Sequence, residues 1–142
     1  MPFDIDLAFG EEMEREIGTF LANGRPIEFS TGYFKEWDYK IDGKTYEQKT
    51  DLKAQFTGNI CVELLEHGNP SGILTSTADY WVSYPIGLNE IAVLPRLQMA
   101  KICKHDHCRN VMCGDGMVGQ CILVPWCLIP KKYKIPYSKC LL

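Results

Sequence analysis

Three residues in the stretch EWDYKIDGKTYEQKTD, residues 36–51, have types and a spacing suited to chemistry: Asp38, Glu47 and Lys49. Asp42-Gly43 lies between two runs of alternating character. Asp-Gly in that setting is a strong hairpin signal, because a type I′ turn needs positive φ at both central residues. A two-residue loop sets the register: Ile41 faces Lys44, Lys40 faces Thr45, Tyr39 faces Tyr46 and Asp38 faces Glu47. The period of two then puts Glu47 and Lys49 on one face and Gln48 on the other. Two carboxylates and an ammonium are expected to share one patch. Like charges directly opposite destabilise an antiparallel pair, their Cβ atoms being only about 5 Å apart. A hard divalent cation such as Mg²⁺ removes the conflict, since it takes carboxylate and backbone oxygens and keeps waters for a substrate. The lysine would then hold or polarise the attacking water. The competing reading is a solvated strand face, because these residue types are common and short motifs are loose.

The neighbouring elements must position these groups. Leu7, Phe9, Met13, Ile17, Phe20 and Leu21 are spaced for one helical face over residues 7–21, and Asn23-Gly24 ends the helix. Its first half carries Glu11, Glu12, Glu14 and Glu16, which complement the helix dipole on a solvated face. Glu14 stands in line with Gly10, Ile17, Gly18 and Leu21, a stripe whose small residues let the helix approach a sheet, and is the choice for a site glutamate, with Glu12 and Glu16 as the alternatives. Residues 27–30 form a strand candidate and Thr31-Gly32 a turn, before hairpin strands over 34–41 and 44–51. Asp51 either joins the face of Glu47 and Lys49 or frays into the polar loop at 52–58. NICVELL, residues 59–65, reads as a buried strand interrupted by Glu63. A carboxylate there costs several kcal/mol unless paired or on a metal, so Glu63 is either near the site or a salt-bridged structural acid.

Residues 67–72 form a turn cluster. Ser76 or Thr77 is placed to cap a short helical turn with Asp79 close behind. Strands over 80–84 and 90–94 follow, and Pro95 opens a helix running to about Lys104. Residues 114–119 mark a loop, 120–126 a final strand, and 130–142 a tail with Lys131, Lys132, Lys134 and Lys139, either phosphate-contacting or solvated. The expected fold class is α/β (α+β), a central mixed β-sheet flanked by helices. One domain spans 1–142, with 95–142 as a C-terminal extension.

At 142 residues, with 46% apolar and 23% charged residues, the chain is a globular domain rather than a disordered one. Its net charge of −3 argues against a broad basic surface for nucleic acid. Bound divalent ions at a carboxylate site would nevertheless raise the local potential. The start, MPFDIDLAFGEEMERE, lacks the basic region of a signal peptide, and no apolar run approaches the roughly 20 residues of a membrane span. A cytoplasmic location is expected, and with it reduced cysteines. Cys103, His105, His107, Cys108 and Cys113 cluster, but the Cys-x₄-Cys spacings do not match a zinc knuckle. Reduced, partly buried thiols are the expectation. A cysteine nucleophile paired with His105 or His107 would lack an orienting third residue and an oxyanion turn.

Asp, then Glu-x-Lys on the neighbouring strand, resembles the PD-(D/E)xK nuclease superfamily, with Trp37 standing where the Pro of the motif's name would be. The order helix, strand, Asp-bearing strand, Glu-x-Lys strand, further strand, helix is similar to that superfamily's restriction-endonuclease-like core. At motif level the first half resembles the archaeal-type Holliday junction resolvases. TGNICVELLEHGNPSGILTSTADYWVSY, residues 57–84, is similar to small phage-encoded members. The likeness covers residues 6–94. It implies Mg²⁺-dependent, or Mn²⁺-dependent, endonuclease activity on DNA, with Glu14 as the helix glutamate. Asp38, Glu47, the Gln48 backbone carbonyl and Glu14 would hold one or two metal ions, and Lys49 would orient water. It also implies a homodimer acting on branched DNA in recombination, with Trp126 and other apolar residues of the last third as an interface. A less selective DNA nuclease and a non-catalytic nucleic-acid-binding module are the alternatives.

Overall fold

A computed structural model describes residues 2–32 and 35–138. The hairpin came out in the expected register. Strand β2 (Tyr39–Ile41) pairs antiparallel with β3 (Lys44–Asp51), setting Ile41 against Lys44, Lys40 against Thr45 and Tyr39 against Tyr46. Asp42 at φ 52° and Gly43 at φ 76° make the turn, the left-handed pair a tight hairpin needs. The pairing stops at Tyr39, however, so Asp38 does not face Glu47 across the ladder. Its N–H reaches back to the Tyr46 carbonyl instead, at 2.8 Å. Phe34, the expected start of this strand, lies outside the described residues.

Around the hairpin stands a six-stranded mixed sheet. Strand β1 (Ile27–Phe29) flanks β2 on one side, and β6 (Tyr80–Pro85), β7 (Glu90–Pro95) and β10 (Lys134–Pro136) follow β3 on the other. Among the described residues only β3 and β6 run parallel, with Glu47 beside Trp81 and Lys49 beside Ser83. A second, antiparallel sheet is built from β5 (Asn69–Pro70), β4 (Asn59–Glu66), β9 (Gly119–Pro125) and β8 (Arg109–Cys113), in that order.

This differs from the sequence expectation, in which NICVELL was the strand following the Glu-x-Lys strand in a single sheet. A parallel central strand must bury both faces, and Trp81 through Pro85 are all buried. Strand β4 instead alternates, with Ile60 and Val62 buried and Cys61 and Glu63 half-buried on the other side. That pattern suits the outer wall of a second layer.

Helix α1 (Pro2–Ala22) covers one face of the main sheet, burying Met13, Ile17 and Ala22 against Tyr39, Ile41, Val82, Tyr84 and Ile91. Gly18 permits the approach, since a Cβ there would lie 3.0 Å from both Ile27 and Phe29 side chains. The opposite face is covered by the second sheet and the short helix α3 (Arg96–Ile102). There Ile60, Val62, Ile122 and Val124 pack with Trp81, Leu94 and Met99. A long helix thus covers one face and a second sheet with one short helix covers the other, and the molecule is α+β with a mixed central sheet. Residues after 95 supply strands to both sheets. Among the described residues no helix is long and apolar enough to cross a membrane.

Candidate active site

Because β2 leaves the ladder at Tyr39, the Gln48 N–H on β3 has no strand partner on that edge. The Asp38 carboxylate supplies one, Oδ2 accepting the Gln48 N–H at 2.7 Å. A strand residue's N–H and C=O leave by the same edge, so the Gln48 carbonyl is directed towards the Asp38 side as well. Lys35 donates to both carboxylates nearby: Nζ lies 3.1 Å from Asp38 Oδ1 and 2.7 Å from Glu14 Oε1 on α1. Glu14 is thus the helix glutamate turned towards the hairpin, with its side chain only 13% exposed. Burial, and next the Asp38 carboxylate, push its carboxyl up to about 7, against the opposing pull of Lys35. Burial works to lower Lys35, but Glu14 and Asp38 outweigh it and hold the ammonium above its ordinary value.

On this face the Gln48 side chain is locked. Tyr39 donates its hydroxyl to Oε1 at 2.7 Å, and Nε2 reaches Thr50 at 3.3 Å. Burial first, and then Asp38 and Glu14, push the Tyr39 phenol well above its usual range, so it stays a donor.

Glu47 and Lys49 project to the other face. Ser76 donates to Glu47 Oε1 at 2.8 Å, and Lys49 Nζ lies 3.3 Å from Glu47 Oε2 and 5.9 Å from the Trp81 ring centroid. Burial opposes the charge on Lys49, but Glu47, Asp38 and Glu63 together raise its pKa. The half-exposed ammonium therefore lies within electrostatic reach of both groups of carboxylates. A depression of about 330 Å³ opens beside the first helix, lined by Glu14, Gln48, Lys49, Thr50, Phe9, Gly10 and Leu52 and not by Asp38 or Glu47.

Glu63 acts electrostatically on Lys49, next to the site. Asp51 remains in the strand and serves structure. Its carboxylate accepts the N–H groups of Lys53 and Ala54, which open helix α2 (Ala54–Thr57), and that of Cys61 on β4, at 2.8, 2.9 and 3.1 Å. No helical turn forms at Ser76; a 3₁₀ turn precedes it at Gly72–Leu74. Gly72 is needed there, since at φ 54° a Cβ would fall 2.2 Å from the Glu63 carbonyl oxygen. Asp79 ties the strands together instead, accepting the Thr45 N–H at 2.9 Å.

The cysteine cluster is arranged differently from the sequence expectation. Cys113 leaves the group and forms a disulfide with Cys121 across the β8–β9 pair, so these two thiols are not reduced. His105 and His107 stack on the surface with ring centroids 4.9 Å apart. Cys103 is buried, which pushes its thiol up to about 12, unsuited to a nucleophile. Trp126 is in the core, 8% exposed, and donates to Glu90 at 2.6 Å. It cannot supply a dimer surface. Lys131 and Lys132 are exposed, while Lys139 lies outside the described residues.

Sequence reasoning missed Lys35 and the pairing of Ser76 with Glu47. The signal for Lys35 was its place three residues before Asp38. For Ser76 nothing local pointed to a partner 29 positions away. No family model matches the chain, and neither a curated protein nor a solved structure is significantly similar to it. The chemistry of the site rests on its own residues. Glu14 and Asp38 converge on Lys35, whereas Glu47 pairs with Ser76 and Lys49 on the other face, so among the described residues these three carboxylates do not form a group that could hold one metal ion. The positive charge between Glu14 and Asp38 is the Lys35 ammonium.

Proposed function

We propose that the protein is a metal-dependent endodeoxyribonuclease selective for branched DNA, like the resolvase-type PD-(D/E)xK enzymes that its central stretch resembles, and that its core is of their restriction-endonuclease-like type. The observation that carries this reading is Lys35 Nζ held 2.7 Å from Glu14 and 3.1 Å from Asp38. Two carboxylates from separate elements aimed at one point need a positive charge there, which Lys35 supplies and a divalent cation would supply in its place.

Asp38, the Gln48 carbonyl and Glu14 would hold Mg²⁺, with Mn²⁺ as a substitute. When bound, the ion neutralises phosphate charge and makes its water more acidic. With a cation between Glu14 and Asp38, Lys35 would give up that place and would be free to contact the phosphate backbone. Lys49, kept protonated by Glu47, Asp38 and Glu63, orients the attacking water and donates to the developing charge. Ser76 holds Glu47 from behind. Lys53 and Arg109, which line a neighbouring cavity, together with Lys131 and Lys132, offer phosphate contacts that the acidic total conceals. Two copies are expected to act together on the equivalent strands of a four-way junction. Exposed Leu97, Met112, Met117 and Val118 are candidates for their contact.

A second reading, a DNA-binding module without catalysis, is favoured by one feature. The Lys35 bridge satisfies Glu14 and Asp38 with no metal at all. The deciding experiment is cleavage of a labelled four-way junction and a matched linear duplex, with Mg²⁺ or EDTA, by wild type and Asp38→Asn. Mg²⁺-dependent nicks confined to the junction and lost in the variant support the proposal. Equal cutting of both substrates leaves a general nuclease. Binding without product in either case selects the module.

A further inference from the structure

Three cysteines meet on the outer face of the second sheet. In its register Glu63 faces Cys121, Cys61 faces Leu123, Val111 faces Cys121 and Cys113 faces Gly119. Cys61, Cys113 and Cys121 thus share the side turned away from core residues Ile60, Val62, Ile122 and Val124. Their three sulfurs all lie within 4.8 Å of one another. Gly119 leaves room for them, since a Cβ there would approach Cys113 Sγ to 3.1 Å. Cys61 and Cys113 also line a cavity of about 560 Å³ together with Asp51, Asn59, Lys53 and Arg109.

We infer that Cys61, Cys113 and Cys121 form a site for a thiophilic divalent cation such as Zn²⁺, which becomes available when the Cys113–Cys121 disulfide is reduced. A dithiol supplies two electrons and two protons and leaves as its own disulfide, or a phosphine supplies two electrons while water supplies two protons and the oxygen of the phosphine oxide; either converts the disulfide to two thiols. The three thiols then lose three protons as their sulfurs ligate the ion. Soft sulfur donors select such an ion over Mg²⁺. Three protein ligands beside an open cavity leave the fourth tetrahedral position to water or to a ligand entering the cavity. Asp51 and Glu63 lie close enough to act on Cys61 electrostatically. The site takes a different class of ion from the carboxylate site, so its test does not depend on nuclease activity.

Phosphine-reduced full-length protein is titrated anaerobically with Co²⁺, then Zn²⁺. One equivalent of Co²⁺ with intense thiolate-to-cobalt absorption, displaced by Zn²⁺, is expected. The band should be absent from the oxidised protein, weakened at least tenfold in affinity by Cys61→Ser, and kept in the Cys103→Ser/Cys108→Ser/Cys127→Ser variant. In reduced wild type, Zn²⁺ should shield Cys61, Cys113 and Cys121 from alkylation while exposed Cys127 reacts, a readout that needs no variant. Binding below about 0.2 equivalents, a band undiminished in Cys61→Ser or present in oxidised protein, loss of the band in the triple variant, or unshielded alkylation of the three cysteines overturns the inference.

Discussion

Glu14 carries a charge conflict that Lys35 resolves, and this has consequences for single residues. The Glu14 carboxyl is raised from 4.5 to about 7 by burial and by Asp38. The folded protein therefore binds more protons than the unfolded chain between these values, and stability falls as pH rises through that window, levelling off above about 7. Urea unfolding of the metal-free protein at pH 5, 6 and 8 should show this decline, and Glu14→Gln should flatten it. Lys35→Met leaves two facing carboxylates uncompensated, so the metal-free variant should lose about 3 kcal/mol or more at pH 8. Millimolar Mg²⁺ should restore much of that stability in a thermal melt. A variant that melts like wild type without metal would show that Lys35 is not what balances Glu14 and Asp38. At Lys49 the expected effect is on catalysis. Lys49→Ala should cut junction cleavage by about 10² to 10⁴ while leaving Mg²⁺ affinity nearly unchanged.

At the scale of elements, the hairpin and the first helix decide whether these residues meet. Gly43 at φ 76° is in a region that costs a side chain about 1–2 kcal/mol, so Gly43→Val should lower stability by that amount in equilibrium denaturation. The close approach of α1 depends on Gly18. Gly18→Val should overpack Ile27 and Phe29 at a cost of about 1–3 kcal/mol and, by lifting the helix, reduce cleavage. Reduced stability with unchanged cleavage in that variant would separate helix seating from the site. The hairpin was legible because Asp42-Gly43 and the period of two are local signals. The end of its ladder at Tyr39 was not, because it depends on the Asp38 side chain taking a backbone carbonyl's place. Strand β8 was obscured because RNVMC has no apolar–polar alternation, although its exposure alternates from Asn110 to Cys113.

For the whole molecule, the two sheets share one core through Trp81, Leu94 and Met99. They should therefore unfold in a single cooperative transition. Removing residues 130–142 would strip β10 from the edge of β7, together with Tyr137, whose ring packs 4.8 Å from Phe20 and 5.5 Å from Tyr84. The truncated chain should lose several kcal/mol and expose an unpaired strand edge prone to association. Calorimetry and light scattering would detect both effects. An unchanged midpoint would show that the tail is a true extension.

Taken alone, the sequence determined the local features: a first helix with Glu14 on its small-residue stripe, a type I′ hairpin in known register, Glu47 and Lys49 on one strand face, and strands over 80–84 and 90–94, each one residue short of the observed Tyr80–Pro85 and Glu90–Pro95. These rest on backbone preference and short-range periodicity, which act between residues a few positions apart. Only the tertiary structure decided that β6 rather than β4 lies beside β3 and that the second layer is a sheet. It also brought Lys35 between Glu14 and Asp38, Ser76 behind Glu47, and Cys61 beside Cys113 and Cys121. Each of those outcomes depends on which buried faces match and which charges need a partner, and that competition runs over the whole chain at once.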